Sequence, residues 1–316
     1  MEWYYILLIV ACAALLLVFV TTLICFLIVF YSPKRPPFSA DKYDIPPGKP
    51  YEKYRDGLIE WIKTVRAMPC EEITITSHDG LRLVGYYYEH KPGAVTEIIL
   101  HGYRGNADRD LPGGVLRCFS LGRNALVVDQ RAAGRSEGRV ITFGIKERRD
   151  LKAWTEYAYD RFGADIPLII TGVSMGAATV LMAASDELAP SVCSVVADCG
   201  YTSAKDIIYK VMKEDMHLPP KLLYPFVRLG ARLFGGFDTE EFSPIESVKK
   251  SRRPIIFIHG DADGFVPCEM SVRMYEECNS RKRLWIAAGA AHGLAYPSDK
   301  EGYERELREF FELSTK

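Results

Sequence analysis

A serine lies at the centre of a glycine-flanked pentapeptide, Gly172-Val173-Ser174-Met175-Gly176. The apolar run Leu168 to Thr171 precedes it, and the small residues from Ala177 onward suit the start of a helix. A strand, a tight turn and a helix in this order present a serine hydroxyl at a helix N-terminus, as nucleophilic serines of the G-x-S-x-G type require. The pentapeptide alone occurs by chance in roughly one chain in ten. The flanking elements therefore carry the prediction that Ser174 is a nucleophile.

A serine hydroxyl becomes a strong nucleophile only when a base removes its proton and a carboxylate orients that base. Three histidines follow Ser174 in the chain: His217, His259 and His292. His292 follows the last predicted strand, which fits the chain order serine, acid, histidine. We therefore predict His292 as the base, whereas His217 lies in a long insertion and His259 at a strand end.

The candidate acid lies in the loop His259 to Pro267, which follows an apolar run and contains two aspartates. We predict Asp263 as the acid and Asp261 as a turn residue whose side chain holds the loop through backbone hydrogen bonds. Asp198, at the end of the preceding predicted strand, is a third candidate. Sequence spacing leaves these three carboxylates open.

An acyl-transfer site also needs two backbone amides that bind the developing oxyanion. The residue after the nucleophile supplies one, which predicts Met175. The loop after the strand Glu97 to Leu100 supplies the other, which predicts the amide of Tyr103. His101, at the end of that strand, is expected to be structural.

The elements around these motifs alternate between short apolar runs and helical patterns, which predicts an α/β fold with a mostly parallel sheet and helices on both faces. An antiparallel hairpin is expected at residues 73 to 86. The predicted parallel strands are Glu97 to Leu100, Ala125 to Val128, Leu168 to Thr171, Val192 to Ala197, Ile255 to Ile258 and Leu284 to Ala287. The predicted helices are Tyr54 to Arg66, Ile145 to Phe162, Ala177 to Glu187, Glu269 to Cys278 and Lys300 to Glu312.

One segment interrupts this alternation. Residues 201 to 250 contain prolines that divide helical stretches, together with many apolar side chains. We interpret the segment as a small helical lid over the active face. An ordinary crossover with extra helix is the alternative, since long insertions often lack a role.

The N-terminal residues 3 to 31 contain no charged side chain, and a helix there would cross a hydrocarbon core of about 30 Å. A cleaved signal peptide is the alternative, but the apolar stretch is too long and no small-residue cleavage site follows it. We therefore predict a transmembrane anchor, then a proline-rich linker over residues 32 to 53 and a catalytic domain over residues 54 to 316. Lys34 and Arg35 follow the anchor, so the positive-inside rule predicts a cytoplasmic domain.

Composition excludes several other classes of protein. The 316 residues carry a formal net charge of -1, with 40 basic and 41 acidic side chains, which gives no reason to expect a nucleic-acid partner. The eight cysteines lack the spacing of a zinc site or a disulfide framework. No metal and no organic cofactor is expected, and the oligomeric state is not predicted.

Together, residues 70 to 313 resemble the α/β-hydrolase family. The resemblance rests on His101-Gly102, the loop Asp129 to Gly138, the Ser174 pentapeptide, the loop His259 to Pro267 and His292, in that order. The chain is most similar to membrane-anchored bacterial members and to mammalian serine hydrolases that act on acyl esters and thioesters. One departure is Leu294, because a small hydroxyl residue often stands two residues after the family's histidine.

The resemblance implies Ser174 as nucleophile, Asp263 as acid and His292 as base. We expect hydrolysis of an ester or thioester of a lipophilic acyl group, in the carboxylesterase, lipase or thioesterase class. The family also includes peptidases and inactive binding members. A serine peptidase and a non-catalytic membrane-tethered binding module therefore remain alternatives.

Overall fold

The computed structural model describes residues 2–33 and 42–312. Its strands are β1 (Glu71–Thr76), β2 (Arg82–Tyr88), β3 (Thr96–Leu100), β4 (Asn124–Asp129), β5 (Leu168–Val173), β6 (Val192–Asp198), β7 (Ile255–Gly260) and β8 (Lys282–Ala287). They form one sheet in the order β1-β2-β4-β3-β5-β6-β7-β8. Strands β3 to β8 are parallel, whereas β2 is antiparallel to both β1 and β4. The predicted hairpin and the six predicted parallel strands are confirmed. Each parallel strand is one or two residues longer than predicted. The added residues at the strand ends pair with a neighbouring strand, although the apolar pattern of the sequence does not include them.

Helices pack against both faces of this sheet, as predicted. The helices of the described residues are α1 (Trp3–Val29), α2 (Lys49–Glu52), α3 (Arg55–Arg66), α4 (Ala107–Asp110), α5 (Pro112–Ser120), α6 (Glu147–Phe162), α7 (Met175–Ala183), α8 (Ala204–Lys210), α9 (Pro220–Gly230), α10 (Pro244–Val248), α11 (Cys268–Glu277), α12 (Ala295–Ser298) and α13 (Lys300–Glu312). Helix α7 begins two residues earlier than predicted and ends four residues earlier. It ends there because the Ser185 hydroxyl and the Asp186 amide bind the carbonyls of its last turn.

Side chains of the sheet alternate between two apolar layers. In β7, Phe257 belongs to the buried apolar cluster on one face, which also contains Leu181 of α7 and Trp154 of α6. Its neighbour Ile256 points to the opposite face, where it packs with Phe310 of α13. This alternation follows from the two-residue period of a strand, and burial on both faces explains why these strands appear as continuous apolar runs.

Residues 201–250, which we call the cap segment, contain α8, α9 and α10. Helices α8 and α9 each continue into a π-helical turn, Val211–Asp215 and Ala231–Gly235 respectively. The inner side of the cap segment packs its apolar side chains, including Met212 and Val227, in one cluster with Met175 of α7. The cap segment therefore covers the sheet edge next to Ser174. The interpretation of this segment as a lid stays a prediction.

Helix α1 divides into two parts by exposure. Residues 3–20 are exposed along their whole length, whereas Thr22, Phe26 and Phe30 are buried. Phe26 and Phe30 belong to the same apolar cluster as the cap segment, and the Phe30 ring lies 5.2 Å from that of Phe237. The last turns of α1 therefore belong to the packed domain, although the sequence predicted the whole helix as a separate anchor.

The segment predicted as a linker makes specific contacts with the domain, which corrects the expectation of an extended segment. The Ser32 hydroxyl donates to the carbonyl of Ala132, and α2 occupies residues 49 to 52. Tyr51 of α2 donates its hydroxyl to the carbonyl of His292, at 2.7 Å. The structure does not describe residues 34–41, which include Lys34 and Arg35, so the orientation prediction lies outside the described residues.

The turn between β5 and α7 depends on two glycines. A Cβ atom on Gly172 would lie 2.1 Å from the backbone carbon of Gly176, and a Cβ atom on Gly176 would lie 2.4 Å from the carbonyl oxygen of Leu100. Real Cβ atoms do not approach backbone atoms so closely. Strand β5, helix α7 and the end of β3 therefore meet only because neither residue has a side chain.

We expect Gly172→Ala to destabilise the protein by about 3 kcal/mol or more, because backbone atoms on both sides of the new methyl group cannot rotate away. Gly57→Ala is the matched control, since a Cβ atom at Gly57 in α3 would meet nothing within 4 Å. Alanine there should raise stability by up to about 1 kcal/mol. Thermal unfolding of the full chain in detergent measures both changes, and equal unfolding temperatures for the two variants would contradict the close packing.

Candidate active site

Ser174 lies at the sharp turn between β5 and α7. Its backbone has a φ of 56° and a ψ of -116°, a conformation that residues with a side chain rarely adopt. The Ser174 amide donates to the carbonyl of Asp198 at the end of the adjacent strand β6, at 2.8 Å. Only 7% of the residue is exposed. The turn thus holds the hydroxyl in one place, beneath the loops that follow the neighbouring strands.

His292 lies on the loop after β8 and contacts Ser174. Its Nε2 atom lies 2.9 Å from Ser174 Oγ, and its Nδ1 atom lies 2.7 Å from Asp263 Oδ2. A carboxylate only accepts, so Nδ1 carries the hydrogen and Nε2 of a neutral ring is left to accept from the serine hydroxyl. The Phe265 ring packs against the imidazole at 5.0 Å between ring centres. The structure thus brings the predicted nucleophile, base and acid into one hydrogen-bonded row.

Asp263 lies on the loop after β7, where several donors surround its carboxylate. The backbone amides of Phe265 and Val266 both donate to Oδ1 at 2.9 Å. Burial by itself raises the pKa of this carboxyl, but hydrogen bonds from His259 and His292 outweigh burial and hold the pKa below its ordinary value. Asp263 is therefore ionised at neutral pH although the side chain is buried.

His259 is a site residue whose role the sequence did not reveal. The ring is fully buried; its Nε2 lies 2.9 Å from the carbonyl oxygen of Val266 and 3.2 Å from Asp263 Oδ2. Both neighbours only accept, so Nε2 carries a hydrogen, while Nδ1 lies 2.7 Å from the hydroxyl of Ser271. His259 therefore positions the Asp263 carboxylate. The four-residue spacing between the two, at the end of a buried strand, is the signal that sequence reasoning left unused.

The other candidate residues lie apart from this row. Asp261 accepts a hydrogen bond from the backbone amide of Gly289 at 2.6 Å, so its side chain joins two loops, in line with its interpretation as a turn residue. Asp198 accepts from the hydroxyl of Tyr303 at 3.1 Å and makes no hydrogen bond to His292 among the described residues. His217 is exposed in the cap segment. His101 is buried and binds backbone groups of Gly102 and Gln130, as expected of a structural residue.

The two amides predicted to bind an oxyanion lie on either side of Ser174. Met175 is the first residue of α7, so its amide has no acceptor within the helix. Tyr103 follows Gly102, where a Cβ atom would lie only 3.5 Å from Ser174 Cβ. The described residues offer no hydrogen-bond acceptor to the Tyr103 amide. Neither N–H group has a hydrogen-bond acceptor among the described residues, and their role as oxyanion donors stays a prediction.

The loop that contains Tyr103 also binds the end of α1. The last carbonyls of a helix have no partners within the helix. The Tyr103 hydroxyl donates to the carbonyl of Val29 at 2.7 Å, and the Arg104 guanidinium donates to the carbonyl of Ile28 at 2.8 Å. Arg104 itself has a φ of 53°, in the left-handed region. The position of this loop therefore depends on the position of α1.

Two groups of side chains in the described residues have spacings that a metal ion could bridge. One contains Cys199, Asp263 and His292, but the last two already bind each other. The other contains His78, Asp79 and Asp150, and the Arg131 guanidinium pairs with both of its carboxylates. Neither group presents a vacant set of metal ligands.

A small cavity lies behind His292, bordered by Tyr51, Val173, Asp198 and Gly293. Its volume is about 80 Å³, too small for a long acyl chain. Asp198 Oδ1 is buried there without a hydrogen-bond partner in the described part of the chain. Burial raises the pKa of the Asp198 carboxyl to about 6. The pKa values of Asp198 and Asp263 thus shift in opposite directions, because only Asp263 has a full set of donors.

We expect Asp198→Asn to stabilise the protein increasingly as the pH rises from 4 to 8. The pKa of Asp198 is higher in the folded protein than in the unfolded chain, so ionisation of this carboxyl favours unfolding. The wild type therefore loses stability as the pH rises above the ordinary pKa of 3.8, and the loss is complete above about 6. The amide cannot ionise, and two pKa units correspond to about 3 kcal/mol. Unfolding temperatures at several pH values measure the difference, with Asp165→Asn on the exposed surface as control. A difference between variant and wild type that does not change with pH would contradict the buried, raised carboxyl.

No family model matches this chain. In sequence, the chain is 28% identical to the uncharacterized protein YqkD of Bacillus subtilis over 239 residues, which covers 75% of this chain and 78% of that protein. It is 22% identical to an uncharacterized membrane protein of Saccharomyces cerevisiae over 248 residues, which covers 78% of this chain and 80% of that protein. In structure, the Pyrococcus furiosus esterase Pf2001 superposes with a TM-score of 0.66 at 24% identity, covering 90% of this chain and 98% of the esterase. The chain has the α/β-hydrolase fold.

Proposed function

We propose that this protein is a serine hydrolase that cleaves carboxylic ester or thioester bonds through an acyl-enzyme on Ser174. The observation that carries the proposal is the hydrogen-bonded row Ser174, His292 and Asp263, with distances of 2.9 Å and 2.7 Å. An imidazole in this position accepts the serine proton, and the buried carboxylate stabilises the imidazolium that forms. The likeness to Pf2001, an esterase, supports the same reaction class.

The reaction proceeds in two halves. Ser174 Oγ attacks the substrate carbonyl carbon while its proton passes to His292 Nε2, which gives a tetrahedral intermediate. The carbon–oxygen or carbon–sulfur bond to the leaving group then breaks, and His292 returns the proton to that group. In the second half, water attacks the acyl-enzyme, His292 takes its proton, and the carboxylic acid leaves as Ser174 regains its hydrogen.

The amides of Met175 and Tyr103 bind the oxyanion of each tetrahedral intermediate. Backbone donors held beside the nucleophile stabilise charge that appears only in the transition state, which lowers the barrier of the chemical step. The Met175 amide also lies at the N-terminus of α7, where the helix dipole favours negative charge. Asp263 acts as the acid because it binds His292 directly, whereas Asp198 binds Tyr303.

The substrate is a lipophilic acyl compound at a membrane. Helix α1 is 27 residues long and, by length and composition, apolar enough to cross a bilayer. The relative from Saccharomyces cerevisiae, described as a membrane protein, supports this placement. The cap segment and α1 form a buried apolar cluster that includes Met175, the residue after Ser174, and this supports an apolar environment for an acyl chain. The positive-inside rule, applied to Lys34 and Arg35, supports a cytoplasmic domain, which protease protection in sealed vesicles tests.

We expect a fluorophosphonate probe to label the wild type and to leave Ser174→Ala unlabelled, because the probe reacts only with an activated serine hydroxyl. Replacing His292 by alanine or Asp263 by asparagine should lower kcat by several powers of ten. Asp261→Asn is the matched control and should change kcat far less. Absence of labelling in a folded wild type would favour a non-catalytic binding module, and a larger loss for Asp261→Asn than for Asp263→Asn would overturn the assignment of the acid.

We expect the rate of ester hydrolysis by the full chain in detergent to rise with acyl length across a series of p-nitrophenyl esters. The reason is the apolar cluster beside Ser174, since each buried methylene contributes roughly 0.8 kcal/mol of binding. Aminoacyl anilides tested in parallel distinguish the peptidase alternative. Faster turnover of the anilides, or a preference for acetate over longer chains, would contradict a lipophilic ester substrate.

A further inference from the structure

The exposed large apolar side chains outside α1 are concentrated in one region. Among the described residues they are Tyr43, Met216, Leu218, Leu222, Leu229, Leu233 and Phe265. All except Tyr43 and Phe265 lie in the cap segment, and Phe265 lies beside His292. Scattered apolar residues on a surface need no explanation, but a set confined to one segment indicates an interaction surface.

Three of these residues form a line along α9 and its continuation. Leu222, Leu229 and Leu233 are separated by seven and four positions, the spacing of one side of a helix. They are 65%, 36% and 61% exposed, whereas Tyr224 and Val227 on the inner side are buried. We call Leu222, Leu229 and Leu233 the cap stripe. A helix at the surface of a water-soluble domain normally directs polar residues outward, and this one directs leucines.

Two arginines lie close to the cap stripe, and one carboxylate binds both. Arg228 Nε lies 2.7 Å from Asp238 Oδ1, and Arg232 Nε lies 2.8 Å from Asp238 Oδ2. Their guanidinium groups are therefore directed to Asp238. The three leucines remain exposed beside these paired arginines.

The cap stripe lies directly beside α1. A Cβ atom on Gly230 would lie 3.0 Å from both the Cβ atom of Phe26 and the carbonyl oxygen of Thr22, so the two helices touch at this point. The Phe234 ring, next to Leu233, lies 5.9 Å from that of Phe19 and 5.4 Å from that of Phe26. The contact therefore falls at residues 19 to 26 of α1.

The exposure of α1 indicates where a bilayer surface would lie. The part from Trp3 to Thr22, exposed up to Val20, is about 30 Å long at 1.5 Å per residue, which matches the hydrocarbon thickness of a bilayer. The remaining turns bury Thr22 and Phe26 against the domain, whereas Ile24, Leu27 and Ile28 stay exposed. Contact with the domain begins at Phe19 to Thr22, at the level of Phe234 and its neighbour Leu233, so the hydrocarbon boundary of a membrane crossed by α1 lies near this level.

We infer that the cap stripe is a second membrane-contacting element, which lies on the bilayer surface with its leucines at the boundary between headgroups and acyl chains. Its occupant is lipid because the stripe is continuous with the lipid-facing surface of α1. A helix that lies in this boundary buries its apolar side and keeps its charged groups at the headgroups. The inference rests on the proposed membrane anchor and is independent of the proposed ester chemistry.

Spin-label accessibility in nanodiscs tests this inference on the full chain. The five cysteines that are not buried, Cys12, Cys25, Cys70, Cys193 and Cys268, are replaced by alanine. A nitroxide is then attached to a single cysteine at Leu222, Leu229 or Leu233. Ile9→Cys in the exposed part of α1 and Asp165→Cys on the far surface are the lipid and water controls. Collision with oxygen, which enters lipid, is compared with collision with a nickel chelate, which stays in water.

We expect the oxygen-to-nickel ratio at Leu229 and Leu233 to exceed the ratio at Asp165 several-fold and to approach that at Ile9. A water-like ratio at either leucine, with a lipid-like ratio at Ile9, overturns the inference. Shielding from both reagents with dipolar broadening also overturns it, because a second copy of the chain would then cover the stripe. A water-like ratio at Ile9 refutes the anchor itself, whereas fluorophosphonate labelling of the same variants reports the ester chemistry separately.

Discussion

The whole site depends on the close approach of three backbone segments: the end of β3, the end of β5 and the first turn of α7. Gly172 and Gly176 permit this approach, because a methyl group on either would overlap backbone atoms. The crossing forces Ser174 into a positive φ and leaves the amide of Met175 at the start of a helix. Because strands β5 to β8 are parallel neighbours, the loops that carry Asp263 and His292 emerge at the same sheet edge. The hydroxyl, the imidazole and the carboxylate meet there as a consequence.

Hydrogen-bond donors, more than burial, distinguish the carboxylates near this edge. Asp198 and Asp263 are both buried at the carboxyl ends of adjacent strands. Asp263 accepts hydrogen bonds from two backbone amides and two imidazoles, which stabilise its ionised form. Asp198 accepts a hydrogen bond from one hydroxyl group, and burial raises its pKa to about 6. An ionised carboxylate orients and stabilises an imidazolium, and Asp263 keeps its charge down to a lower pH than Asp198 does. The second layer around Asp263, His259 with Ser271, therefore belongs to the site as much as the carboxylate does.

The C-terminal end of helix α1 packs into the folded domain, whereas its N-terminal part exposes apolar side chains. Tyr103 and Arg104 bind its last carbonyls, and the cap segment buries Phe26 and Phe30. The amide proposed as an oxyanion donor thus lies in the loop that binds this helix. A chain lacking α1 would leave these apolar and polar groups without partners, which is why each activity measurement uses the full chain.

The sequence by itself determined the sheet strands, the four longest helices, α1 among them, and the candidates Ser174, Asp263 and His292, because local periodicity and loop order encode them. It left Asp198, Asp261 and Asp263 open, and only the tertiary structure decided which carboxylate contacts His292. Only the tertiary structure shows that His259 contacts Asp263 and that Tyr51 contacts His292. It also shows that the end of α1 packs against the cap segment. Those contacts join residues far apart in the chain. No local pattern specifies them, because their distances arise only when strands, helices and loops pack together.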